Sequence, residues 1–104
     1  MTQGSPFGIL LSVVPQRGPI GTKFLFYAQN FKPSSRVKVK ITDPNNHPIH
    51  DSELITDKTG NIGYGQLQLQ ATQAWVLGTY KFDVNGVSKE TNQLEYHSMT
   101  FLLE

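Results

Sequence analysis

Arg36-Val-Lys-Val-Lys-Ile-Thr42 decides the fold class, because its side chains alternate without a break. Val37, Val39 and Ile41 fall on one face and Arg36, Lys38 and Lys40 on the other, the period of two of a half-buried β-strand. Just upstream, Lys23-Phe-Leu-Phe-Tyr-Ala-Gln29 repeats the pattern with Phe24, Phe26 and Ala28 inward. Asn30-Phe-Lys-Pro-Ser-Ser35 between them has the composition of a corner. Further upstream, Ile9–Val14 reads as a first strand stopped by Pro15, and Arg17-Gly-Pro-Ile-Gly21 as a turn.

Downstream the punctuation continues at intervals of about ten residues, the spacing of an all-β sandwich or barrel. Asp43-Pro-Asn-Asn-His-Pro48 is a turn cluster, followed by a short strand near Leu54–Thr56. Asp57-Lys-Thr-Gly-Asn61 has hairpin chemistry, with Gly60 free to take positive φ. Ile62–Gln70 changes phase around Gly63 and Gly65, so a bend or bulge is expected there. Thr79–Val84 is a sixth strand with Tyr80, Phe82 and Val84 inward. Asn85-Gly86 then reads as a turn, Ser88–Gln93 as a polar loop, and Tyr96–Leu103 as the last strand. Helix signals are confined to Gln70–Trp75, too short to stand alone. The expected architecture is a single domain, an immunoglobulin-like antiparallel β-sandwich of about seven strands. Its core candidates are Phe24, Phe26, Val39, Ile41, Leu67, Leu69, Tyr80, Phe82 and Phe101. An up-and-down barrel is the rival. Residues 1–6 read as a flexible lead-in.

The chain has 104 residues and no cysteine, so no disulfide, thiolate metal site or cysteine nucleophile exists in it. A domain of this size hides roughly 65% of its unfolded surface, enough for one modest core. Charged residues make up 16% and the net charge is +1, short of the basic excess that non-specific nucleic-acid binding needs. No run of about 18 apolar residues is present, so no helix inserts in a membrane. Phe7–Pro15 is apolar but lacks a basic flank, and makes a poor signal peptide.

Three segments together resemble the bacterial immunoglobulin-like and macroglobulin-like modules of large secreted or surface proteins. They are Gly21–Pro44 with its Gly-Thr-Lys-Phe-Leu-Phe-Tyr-Ala strand and Phe31-Lys-Pro33 corner, Thr56-Asp-Lys-Thr-Gly60, and Gly78-Thr-Tyr80 after Trp75. Ser34 stands where that pattern has glycine. The resemblance implies a scaffold and a setting only: a piece of a larger extracellular, cell-surface or periplasmic protein, contacting neighbouring domains of the same polypeptide or a protein partner. Tyr80 occupies the position of a tyrosine corner, whose hydroxyl bonds to backbone across the turn.

Candidate sites compete with plainer readings. Trp75, the only tryptophan, is either a sugar-stacking platform assisted by Tyr27, Tyr64 or Tyr96, or a plug closing one end of the sandwich. The apolar neighbours Ala71, Ala74, Val76 and Leu77 favour the plug. His47, His50 and Asp51 resemble a zinc set, but Pro48 lies between them and no helix aligns the imidazoles. Asp43, Asn45, Asn46 and Asp51 are a weak calcium candidate, with only two charged ligands. Arg36, Lys38 and Lys40 would lie beside Lys81 if their strands pair, as a patch for an acidic partner or as ordinary solvent-facing charge. The carboxylates sit mostly in turns without local pairing, and no glycine-rich loop precedes a helix. The expectation is therefore a non-catalytic spacer or interaction module without a cofactor. A carbohydrate-binding module and an assembly domain pairing through an edge strand are the alternatives.

Overall fold

A computed structural model describes residues 8–104, and among these every regular element is a β-strand. The expected lead-in, residues 1–6, lies outside the described residues. The strands are β1 (Leu10–Val14), β2 (Arg17–Gly18), β3 (Lys23–Gln29), β4 (Arg36–Thr42), β5 (Pro48–Ile55), β6 (Gln68–Gln70), β7 (Gly78–Val87) and β8 (Leu94–Leu103). They form a three-stranded sheet ordered β1-β3-β6 and a five-stranded sheet ordered β2-β8-β7-β4-β5.

The two alternating stretches Lys23–Gln29 and Arg36–Thr42 are strands with the bounds read from them. Phe24, Phe26 and Ala28 on β3, and Val37, Val39 and Ile41 on β4, are at most 1% exposed. The sheets meet through these faces. Phe24 packs on Phe101 of β8 with ring centroids 4.8 Å apart, and Phe26 packs on Phe82 of β7 at 5.0 Å. Such aromatic pairs add roughly 0.5–1.5 kcal/mol each beyond the area they bury. Of the expected core, only Leu69 is not fully buried. With no cysteine, the sheets are held together by packing rather than by a disulfide.

Several expectations are corrected. Arg17 and Gly18 do not belong to a turn: they pair with Leu102 and Leu103 in the one parallel ladder among the described residues. The strand near Leu54 is longer than its short apolar signal, because β5 pairs with β4 from Pro48 onward. Asp57–Asn61 turns tightly but is no hairpin, since Ile62 leaves β5 and bridges Ala28 in the other sheet. Gly60 takes the positive φ, +88°. The expected bend at Gly63–Gly65 breaks the strand outright. The Gly63 amide donates to Gln66 Oε1 at 2.9 Å, and Gln66 Nε2 donates to the Ile55 carbonyl at 3.0 Å. Within Gln70–Trp75, Gln70 ends β6 and residues 73–74 turn, and no helix forms.

Asn85-Gly86, which reads as a turn, continues β7 and pairs with Tyr96 and Glu95. Gly86 is there for space. A Cβ on it would lie 2.9 Å from Val37 Cγ2 and 3.0 Å from the Phe31 ring.

The registers place β1's start at one end of the molecule and β8's end at the other. The lower pole carries the loops of residues 30–35, 56–61 and 88–93, and hydrogen bonds tie them together. Phe31 N donates to Gly60 O at 3.0 Å, Lys32 N to Val87 O at 2.7 Å, and Lys89 Nζ to Thr59 O at 2.7 Å. Ser34, in place of the motif's glycine, holds a φ of 52° and donates its amide to Asp57 O at 3.0 Å. The upper pole carries residues 43–47 and 71–77.

Candidate functional site

The outward face of the five-stranded sheet is built by alternation alone. Because Val37, Val39 and Ile41 point into the core, Lys38 and Lys40 must point out, and the registers then choose their neighbours. Lys38 lies between Glu53 on β5 and Asn85 on β7, and Lys40 between Asp51 and Asp83. Lys81 pairs with Thr42 on one side and Thr100 on the other. The pairing of β4 with β7 thus brings Lys81 to the face of Arg36, Lys38 and Lys40, interleaved with carboxylates. Lys38, Lys40, Lys81, Asn46, Asp51 and Tyr96 line an open concavity of about 590 Å³ on this face.

Asp83 lies in that concavity yet is only 9% exposed. Tyr96 Oη donates to Asp83 Oδ1 at 2.6 Å. This bond to a carboxylate raises the Tyr96 phenol above its ordinary pKa, since ionisation would place two negative charges side by side. Arg36 turns away from the concavity and reaches Glu53 at 3.2 Å.

The calcium candidates are only partly assembled. Asp43 Oδ1 is taken up by its own turn, accepting the Asn45 amide at 2.9 Å and the His47 amide at 2.8 Å. Asn46, in the left-handed region at φ 70°, and Asp51 line the concavity, whereas Asp43 does not. The zinc candidates separate, because successive residues of β5 face opposite ways: His50 lies inward and Asp51 outward. Among the described residues no group of three His, Asp or Glu side chains is placed to hold a metal.

Trp75 is half-buried at the upper pole, stacked on Tyr80 with centroids 5.2 Å apart and planes 29° apart. Tyr80 stacks in turn on Phe101 at 5.3 Å. The Tyr80 hydroxyl donates to the Val76 carbonyl at 2.7 Å, which is the tyrosine-corner bond expected from sequence. Burial, with Asp43 nearby, raises the Tyr80 phenol. Of the apolar neighbours taken to bury Trp75, Ala71 is buried, but Val76 and Leu77 are 40% and 59% exposed. The aromatics paired with Trp75 lie elsewhere. Tyr27 on the three-stranded sheet meets Tyr64 in a tilted pair with centroids 5.0 Å apart, and Tyr96 is on the five-stranded one.

Two titratable clusters escaped the sequence reading. His50 Nε2 and Ser52 Oγ are 2.8 Å apart on the inward face of β5. Among the described residues no carboxylate bonds to this imidazole to orient it as a base. At the lower pole Glu95 accepts the Thr91 hydroxyl at 2.6 Å and meets His97 Nε2 at 2.9 Å. These two contacts hold the Glu95 carboxyl below its usual range, the Thr91 bond contributing most. The carboxylate stands between hydroxyl and imidazole, so it staples loop to strand, and it rather than the imidazole takes the hydroxyl's hydrogen bond. All three contacts join residues two or four apart, a signal visible only once the strand faces are assigned.

No protein-family model matches this chain. A search of curated proteins finds no match either.

Proposed function

We propose that the chain is an immunoglobulin-like sandwich module without catalytic activity, a spacer or protein-contact unit of a larger extracytoplasmic bacterial protein. Strand order supports the sandwich class. In an immunoglobulin constant-type sandwich, strands A, B, E and D face C, F and G. Here β1, β3 and β6 stand as A, B and E, and β4, β7 and β8 as C, F and G. The fourth strand, β5, has moved beside β4. The tyrosine corner at Tyr80 supports the same class.

The observation that carries the spacer reading is the path of the described residues, whose first strand starts at the lower pole and whose last strand ends at the upper one. Such a path lets modules follow one another in line, and the longest dimension is 40 Å. Where the chain leaves, β2 runs parallel to β8. Leu102 N donates to Gln16 O at 2.9 Å and Glu104 N to Gly18 O at 3.0 Å. Tension between the poles loads these bonds along the strands, in shear, rather than peeling them one by one.

Single-molecule pulling between residues 8 and 104 tests the reading. A spacer gives one cooperative event that releases roughly 300 Å of chain. Stepwise extension at forces near the noise, with the two sheets parting separately, contradicts it.

A further inference from the structure

We propose that the outward concavity of the five-stranded sheet binds an acidic oligosaccharide, a chain of sugar rings bearing carboxylates. The spacer reading does not require this, and each stands or falls on its own experiment.

Charge is the first argument. Three exposed ammonium groups, Lys38, Lys40 and Lys81, surround the concavity, against two carboxylates, Asp51 and Asp83. Asp83 is buried and already accepts the Tyr96 hydroxyl. Glu53, across from Lys38, is held by Arg36. Among the described residues none of the three lysines makes an ion pair. A concave surface on which uncommitted positive charges outnumber negative ones favours an anion.

Position is the second. Lysines that only discourage edge-to-edge aggregation belong on edge strands, yet β4 and β7 are both interior strands of their sheet. Their backbone groups are already paired on both sides, so no peptide strand can be added here.

Ligand chemistry is the third. Ammonium donors, the Asp51 acceptor and the side-chain amides of Asn46 and Asn85, which do both, alternate across the surface. Sugar hydroxyls also donate and accept. Tyr96, 60% exposed at the margin and anchored through its hydroxyl, offers an apolar ring face for stacking. Its anchoring lowers the ordering cost of binding.

The test titrates the chain with tetragalacturonate, following amide resonances and binding heat. Hyaluronan and mannuronate tetrasaccharides, methyl-esterified tetragalacturonate and a polyglutamate peptide form the other arms. Binding of at least one acidic tetrasaccharide is expected, with shifts at Lys38–Lys40, Lys81–Asn85 and Tyr96. K40Q and K81Q each weaken it about tenfold, as loss of one charged hydrogen bond does. K40R and K81R retain it, added salt weakens it, and the methyl ester binds far less. The proposal is overturned if no acidic tetrasaccharide shifts those amides at about 10 mM. It is equally overturned if the triple K38Q/K40Q/K81Q variant, still folded by its spectrum, binds as the parent does. Equal binding of polyglutamate at the same amides makes the surface an acidic-peptide site and also overturns it.

Discussion

Glycines that look alike in the sequence carry different constraints. A Cβ on Gly86 meets Val37 and the Phe31 ring inside the core, whereas one on Gly63 or Gly65 meets nothing within 4 Å. Gly86→Ala is therefore expected to destabilise by about 1–3 kcal/mol, the usual cost of overpacking. Gly63→Ala or Gly65→Ala is expected to be neutral or to stabilise by up to about 1 kcal/mol, through a less disordered unfolded chain. Urea denaturation of the three variants checks the contrast, and equal losses at all three sites would contradict it. The sequence suggests the opposite assignment, because Asn85-Gly86 has turn chemistry and Gly63 and Gly65 interrupt a strand. Local propensity proposes a turn at Asn85, and the tertiary fit of Gly86 against Phe31 overrides it. The register that buries Asp83 beneath Tyr96 is likewise a tertiary fact with no periodic signature.

At the scale of elements, legibility followed the completeness of the alternation. Strands β3 and β4 each bury one face and expose the other, so their bounds could be read directly. On β5 the inward face is filled by His50, Ser52 and Leu54 and remains half-buried, so periodicity reported only its end. The lysine stripe was legible for the same reason as β4, and its neighbour Lys81 followed from assumed pairing. Loops were readable where a side chain serves its own backbone. Asp57 Oδ1 accepts the Asn61 amide at 3.0 Å, the Thr59 hydroxyl at 2.7 Å and the Thr59 amide at 2.9 Å. These bonds, led by that from Asn61, hold the Asp57 carboxyl below its ordinary 3.8. Between the folded and unfolded pKa values the unfolded chain binds more protons, so stability rises with pH in that window. The contribution is complete above 3.8 and is lost as the pH falls through the lower folded value. Glu95 acts in the same direction. Asp57→Asn should flatten the acid limb of a plot of urea midpoint against pH. An unchanged limb would remove this loop from the acid response.

For the whole molecule, the sheet assignments follow from which faces can be buried together. The three-stranded sheet covers only part of the five-stranded one, which leaves β5 an edge strand with its inward face half-open. The departure from the constant-type strand order and the charged margin of the outward concavity share one feature, β5 lying beside β4 rather than beside β6. That places Asp51 next to Lys40 and completes the charged face. The most direct test is a set of cross-strand proton contacts measured by NMR on the intact chain. Backbone contacts are expected between Lys38 and Glu53, between Lys40 and Asp83, and between the parallel partners Arg17 and Leu102. Contacts from Glu53 or Leu54 to Gln68 or Leu69, with none to β4, would contradict the fold and the site built on it.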